Sequence, residues 1–379
     1  MSVAKARLGL VVNPVAGMGG RVGLKGTDGG EALELARRLG AEPEAPDRAT
    51  QALRALVRAV SDVDVLTCER AMGAESGRQA EVETEVIGHE AGAESTPDDT
   101  KAAVRAFVEA GVDLILFAGG DGTARDVLDA NAERLPALGI PAGCKMHSAV
   151  FAISPSSAGE VAARFLTAAP PRRTVFEAEV MDIDESAYRA DRLSARLYGY
   201  LRVPNERRLM QGAKSGQSLS DGAAADAIAD DLIQQLDDDT LYVVGPGTTT
   251  ARVFERLGLS KTLLGVDAMR GGRLVGRDLN EHELLRLLDV SPATKIVVSV
   301  IGTQGYVLGR GNQQLSPSVI RRVGRENLIV LATPQKLVTL PQRRLLVDTG
   351  DVKTDQMLSG HISVRTGYRQ SAVIGVAAA

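Results

Sequence analysis

Leu114-Ile115-Leu116-Phe117-Ala118-Gly119-Gly120-Asp121-Gly122-Thr123 is an apolar run that breaks into glycines around one carboxylate, with a hydroxyl behind it. The uninterrupted apolar half predicts a strand buried on both faces, as in a parallel sheet, because a half-exposed strand would alternate. The glycines lack Cβ atoms and reach positive φ, so successive backbone N–H groups can converge on an anion. Asp121 would itself repel a phosphate in that cradle. A carboxylate there is better suited to holding a hydroxyl nucleophile, accepting its proton or anchoring a metal. A tight Asp-Gly turn closing a hairpin is the plainer alternative. Against it, Ala124 to Asn131 does not read as a return strand.

Working outward toward the N-terminus, strands and helices alternate. Leu8 to Val12 reads as a strand, and Glu31 to Leu39 as a helix stopped by Gly40. Asp47 reads as the cap of a second helix with Ala49, Ala52, Leu53, Leu56, Val57 and Val60 on one face. Val63 to Thr67 is a strand and Val82 to Ile87 a weaker one. Thr96-Pro97-Asp98-Asp99 places a capping residue before a proline at the first helical position, and that helix runs to Gly111. The alternation predicts an α/β fold: a Rossmann-like N-terminal domain with a parallel sheet, whose ligands sit beyond the carboxyl ends of the strands.

Two loops fall at that end, the one holding Asp121 and the one after the first strand. In the latter, seven of the fourteen residues from Gly17 to Gly30 are glycine, which is unlike a linker inside a domain. It reads as an anion-binding loop, with Asn13, Gly17, Gly19 and Gly20 in its frame and Lys25 as its charge. The Gly-Lys-Ser/Thr ending of a P-loop is absent. A third segment, Leu138 to Ser148, leads into a helix over Ala158 to Leu166. It carries Lys145, His147 and Ser148, all able to reach a phosphate, with Lys145 the first choice.

Beyond about Arg172 the pattern changes. Thr174 to Ile183 and Leu197 to Val203 read as strands, and Asn205 to Asp221 as a polar loop or lid. A helix near Ala223 to Leu236 ends in Asp237-Asp238-Asp239, a solvated turn in preference to a magnesium site. Leu241 to Val244 then feeds Gly245-Pro246-Gly247-Thr248-Thr249-Thr250 and a helix stopped by Gly258. Gly247, Thr248 and Thr249 at a helix start suit a phosphate or a sugar hydroxyl. Lys295 to Ile301 is a further strand, and Ser316 caps a helix that ends at Gly324. Arg344 to Asp348 and His361 to Thr366 read as strands that close a sheet or pack back on the first domain. The expected division is 1–168 for the Rossmann-like domain and 169–379 for a second, nucleotide- or substrate-binding domain, mixed α/β or β-rich.

The 379 residues carry a formal net charge of −4 and 3% aromatics with no Trp, which removes the case for nucleic acid. No apolar stretch approaches the ~20 residues needed to span a bilayer, so no membrane partner is expected. The N-terminus has no cleavage-site pattern. Two cysteines, Cys68 and Cys144, cannot build a disulfide framework, and a reducing cytoplasm is the expected location.

Asn13-Pro14-Val15-Ala16-Gly17 after the first strand, with the Gly-Gly-Asp-Gly-Thr stretch after a later one, resembles the superfamily of NAD kinases, diacylglycerol- and sphingosine-type lipid kinases and 6-phosphofructokinases. The longer frame, through Leu24-Lys25-Gly26-Thr27-Asp28-Gly29 and Lys145-Met146-His147-Ser148, resembles the branch of ATP- or polyphosphate-dependent NAD kinases that includes acetoin-catabolism proteins. The resemblance covers nearly the whole chain. It implies phosphoryl transfer to an alcohol, from ATP or polyphosphate with Mg²⁺, onto the 2′-hydroxyl of the adenosine ribose of NAD. Asp121 would be the base or orienter, with Gly119, Gly120, Gly122 and Thr123 near phosphate. Gly247-Thr248-Thr249-Thr250-Ala251 is similar to the family's Gly-Ser-Thr-Ala element near NAD. The family is commonly oligomeric, which makes a homo-oligomer an expectation here. One departure stands out: Met181-Asp182-Ile183-Asp184-Glu185 lacks the Asn of the Asn-Asp or Asn-Glu pair that holds the nucleotide. The alternatives are therefore a kinase of another hydroxyl, sugar or lipid, and a non-catalytic NAD(P)- or nucleotide-binding regulator. The Gly-Thr-x-Asn-Asp element of the lipid kinases is replaced by Gly143-Cys144-Lys145-Met146-His147, which disfavours a lipid.

Overall fold

The apolar run forms a strand, β4 (Leu114–Gly119), buried along its whole length, in a computed structural model. The structure describes residues 5–24, 30–60, 62–88, 95–131, 135–143, 146–169, 172–183, 195–206, 209–210, 219–262, 264–301, 305–340 and 343–379. The chain divides into two compact units, one of residues 1–18 and 26–213, the other of 19–25 and 214–379.

In the first unit β4 lies in a parallel sheet with β1 (Ala6–Val12), β2 (Val63–Thr67), β3 (Thr84–Val86) and β5 (Ala137–Pro141). The order is β3-β2-β1-β4-β5. The strand order turns back at the β1/β4 pair, the switch point at which open α/β sheets bind ligands. The helices are α1 (Gly30–Arg38), α2 (Ala45–Ala59), α3 (Ala74–Gln79), α4 (Pro97–Ala110), α5 (Asp121–Asn131) and α6 (Pro155–Thr167). Helix α2 packs on α6 and α4 on α5, around one core that includes Leu10, Leu53, Phe107, Leu116 and Phe117. Helix α4 begins as expected: the Thr96 side chain accepts from Asp99 N–H, the Asp99 side chain accepts from Thr96 N–H, and Gly111 ends the helix in the left-handed region. Helix α2 differs from expectation. Glu44 is its N-cap and Pro46 sits in its first turn, so Asp47 lies inside the helix; proline's fixed φ suits that turn and moves the start forward. The hairpin β6 (Val175–Ile183) and β7 (Ala195–Pro204) is antiparallel and completes the unit.

The second unit contains a nine-stranded mixed sheet, ordered β10-β9-β8-β11-β13-β15-β16-β14-β12. Its strands are β8 (Leu241–Val244), β9 (Asp267–Arg270), β10 (Arg273–Gly276), β11 (Thr294–Ser299), β12 (Tyr306–Leu308), β13 (Leu328–Leu331), β14 (Arg344–Val347), β15 (Gly360–Gly367) and β16 (Gln370–Ala378). With them go α7 (Leu219–Ile233), α8 (Thr248–Arg256), α9 (Glu281–Asp289), α10 (Pro317–Val323), α11 (Pro334–Val338) and α12 (Val352–Leu358). Leu241 and Val243 of β8 enter one apolar cluster, while Tyr242 and Val244 enter another. Successive side chains point to opposite faces of a strand, so this sheet is covered on both. The domain is thus α/β with a large mixed sheet. The C-terminal strands close that sheet, β14 and β15 each pairing with β16. Helix α7 starts at Leu219, inside the stretch expected to be loop; residues 207–208 and 211–218 of that stretch lie outside the described residues.

Candidate active site

Val12 lies opposite Ala118 across β1 and β4, so the loops these strands feed leave the sheet side by side. Strand β4 ends at Gly119, Gly120 links, and Asp121 is already the first residue of α5. The first helical hydrogen bond runs from Ala124 N–H to Gly120 O at 3.0 Å, so the N–H groups ahead of it lie outside the helical ladder. They form the positive end of α5, beside a carboxylate only 6% exposed.

Asp121 Oδ2 accepts from the His147 N–H at 2.7 Å and lies 3.3 Å from His147 Nδ1. Its Oδ1 accepts from the Ser148 N–H at 3.0 Å. The carboxylate therefore fixes the segment after β5 onto the start of α5. A carboxylate offers about four acceptor sites, so among the described residues Oδ1, with the Ser148 N–H as its donor, has a second site left for an incoming hydroxyl. Ser148 is not available to a phosphate as expected from the sequence. Its Oγ donates to Met181 O at 2.8 Å and accepts from Met181 N–H at 3.0 Å, which locks the segment to β6. His147 is likewise directed at Asp121.

The surrounding glycines allow backbones to meet. A Cβ on Gly119 would lie 2.3 Å from Thr123 Oγ1, and one on Gly143 would lie 2.8 Å from Gly120 Cα. Gly119 O accepts from Ala142 and Gly143 N–H at 3.0 and 3.1 Å. Gly17 has φ +84°, and a Cβ there would meet Ala142 O at 2.2 Å. Asn13 Nδ2 donates to Thr123 Oγ1 at 3.0 Å, while Asn13 Oδ1 accepts from Val15 N–H at 3.2 Å. Asn13, Gly17, Gly119, Gly120, Asp121, Gly122 and Thr123 all belong to one unit, at the carboxyl ends of β1 and β4.

The remaining candidates are elsewhere. Gly19 and Gly20 group with the second unit; a Cβ on Gly20 would be 3.1 Å from the Gln313 side chain, and Arg21 O accepts from Glu281 N–H at 3.3 Å. Gly247, with φ +126°, is the N-cap of α8, followed by Thr248 and Thr249. Thr249 Oγ1 accepts from Lys336 Nζ at 3.1 Å. Lys336 was not signalled by any motif. Burial pushes its ammonium below the usual lysine range, against the pull of the Asp221 carboxylate. Lys25 and Lys145 lie outside the described residues. Among the described residues no group of three or more His, Cys, Asp or Glu could hold a metal ion. The acidic run is a turn, as expected: Asp237 Oδ1 accepts from Asp239 N–H at 2.9 Å and Thr240 N–H at 3.2 Å. Among the described residues no helix is long and apolar enough to cross a membrane.

The family profile described as ATP-NAD kinase N-terminal domain matches residues 8–169, and that described as ATP-NAD kinase C-terminal domain matches residues 237–376. No curated protein matches the sequence. Among solved structures, a diacylglycerol kinase from Bacillus anthracis str. Sterne is 16% identical at a TM-score of 0.25, over 48% of this chain and 49% of that one. Two further chains from that organism are 17% and 16% identical at TM-scores of 0.26, over 48% of this chain and 47% and 44% of theirs. The chain spans about half the length of each, and likeness at that level carries no argument about substrate.

Proposed function

Because the chain belongs to the ATP-NAD kinase family, whose members are phosphotransferases with an alcohol acceptor, we propose that it phosphorylates the 2′-hydroxyl of the adenosine ribose of NAD, making NADP. The observation that supports this most directly is Asp121, buried at the switch point with one acceptor site of Oδ1 unspent among the described residues. Asp121 holds the attacking hydroxyl there and takes its proton as the new P–O bond forms and the bond from the phosphorus to the donor's bridging oxygen breaks, releasing ADP or a polyphosphate one unit shorter. The N–H groups at the start of α5 face the charge of the moving phosphoryl group, where fixed dipoles need no reorganisation. Lys25 and Lys145 add positive charge under the same reading. The donor is ATP or polyphosphate. The described residues do not make a metal cage; Mg²⁺ commonly binds through substrate phosphates and would there neutralise charge on the donor.

The test is NADP formation from NAD with ATP and polyphosphate in parallel, by wild type and Asp121→Asn. Loss of the carboxylate is expected to lower turnover about 10²–10⁴-fold. The Asn amide also turns a donor toward the N–H groups of His147 or Ser148, so melting is measured beside activity. His147→Ala removes the ring contact while leaving the carboxylate, and is expected to lower turnover far less. A folded Asp121→Asn enzyme within about threefold of wild type, well short of the usual contribution of such a group, overturns its role. Turnover of a sugar in place of NAD, with the same dependence on Asp121, would keep the chemistry and replace the acceptor.

A further inference from the structure

A cavity of about 170 Å³ opens inside the second unit, where the start of α8 meets α7 and α11. It is comparable with the ~150 Å³ cavities that take one benzene ring, so it suits a single small group. Four of its lining residues carry the argument: Asp221, Thr249, Thr333 and Lys336. Thr333 is 1% exposed, and its Oγ1 has no hydrogen-bond partner among the described residues. Buried hydroxyls are nearly always paired, so an orphan on a cavity wall points to a ligand. Asp221 Oδ1, buried on the same wall, is also without a partner among the described residues. Lys336 Nζ donates to Thr249 Oγ1 at 3.1 Å and to Val300 O at 3.3 Å, which leaves one of its three N–H donors without an acceptor among the described residues. The first helical bond of α8 is Ala251 N–H to Gly247 O at 3.0 Å, so the positive end of that helix adds to the lysine. Burial already holds the Lys336 ammonium below its usual range, and an anion beside it would favour the charged form.

A bare phosphate would satisfy the donors and be repelled by Asp221. A hydroxyl beside the phosphate would give Asp221 Oδ1 its missing donor. We propose that this cavity binds a phosphate monoester carrying a neighbouring hydroxyl, with the phosphate on Lys336, Thr333 and the start of α8 and the hydroxyl on Asp221. Free sugar phosphates have this chemistry, and so does the 2′-phosphate of NADP. Thr248 and Thr249, which line the cavity, lie in the stretch that resembles the family's element near NAD, so binding of NADP here rests on the kinase reading, whereas binding of a free sugar phosphate does not.

The experiment is calorimetric titration of the full chain with orthophosphate, ribose 5-phosphate and NADP, with no phosphoryl donor present so that no turnover intervenes. At least one ester is expected to bind more tightly than orthophosphate. Lys336→Met should weaken that ester about tenfold or more, and Thr333→Val, which keeps the shape, about three- to tenfold. Asp221→Ala should weaken the ester without weakening orthophosphate. Ribose 5-phosphate binding at least as tightly as the part of NADP binding that Thr333→Val removes identifies a free sugar phosphate; the reverse identifies the dinucleotide. If Lys336→Met does not melt cooperatively, Thr333→Val and Asp221→Ala decide. Absence of ester binding, or ester affinity unchanged in the folded Thr333→Val and Asp221→Ala proteins, overturns the proposal.

Discussion

Asp126 sits on α5 five residues past Asp121, only 6% exposed, with Lys101 Nζ 3.7 Å from its Oδ1. Burial outweighs the lysine and pushes its carboxyl from 3.8 up to about 6. The folded state therefore prefers the protonated acid. That contribution to stability is complete below pH 3.8 and is lost as pH rises through about 6,. The gap corresponds to roughly 3 kcal/mol. Asp126→Asn should accordingly raise the denaturant midpoint at pH 8 and leave little gain at pH 4; an equal gain at both values would contradict this. At this scale the sequence singled out Asp121 because one carboxylate stood among glycines. It did not single out Lys336 or Thr333. Lys336 reaches Thr249 across 87 residues of chain, and nothing local in Pro334-Gln335-Lys336 distinguishes that lysine from a solvated one.

Elements were legible wherever their ends carry side-chain chemistry. Thr96, Pro97 and Asp99 announce α4, and the structure places the reciprocal Thr96–Asp99 cap there. Thr96→Ala should lower unfolding free energy by about 1 kcal/mol, measured by urea denaturation, while Asp99→Asn should cost less because it still accepts from the Thr96 N–H. Ser316 and Pro317 announce α10 in the same way, with Val319 N–H on the serine. Strands without such punctuation were missed. The β9–β10 hairpin turns at Gly271-Gly272, both at positive φ (+55° and +66°), the pairing that two-residue hairpins favour. The glycine pair alone does not mark a hairpin, because the flanking Asp267–Arg270 and Arg273–Gly276 are too short and polar to read as strands. Strand β16 was missed for another reason. Val373, Ile374 and Val376 favour a strand, but Gly375 and the alanines Ala372, Ala377 and Ala378 dilute that signal,, and its place is set by pairing with β14 and β15.

For the molecule as a whole, alternation of strand and helix was enough to foresee an α/β fold in the first half, since each element of the parallel sheet is a separate run. The sheet order of the second unit was beyond reach. Neighbours such as β8 and β11, or β14 and β16, are brought together by crossovers that leave no local mark. Nor could periodicity show that the loop after β1 would divide, with residues up to 18 in one unit and 19–25 in the other. A fragment of residues 214–379 would lack the Arg21 carbonyl that receives Glu281 N–H at the start of α9. Fusing residues 19–24 to it through a flexible linker should stabilise it by about 1 kcal/mol, read as a higher melting temperature than the fragment alone.

That divided loop also limits how such chains can be recombined. A crossover between two relatives at 213/214 would splice a complete second half onto a foreign first half, yet the six residues 19–24 would arrive from the wrong parent. Gly20 would meet an unmatched residue at Gln313, and Arg21 an unmatched helix start. Viable chimeras should therefore inherit this small insert together with the second half, two separate stretches of coding sequence kept as one heritable block.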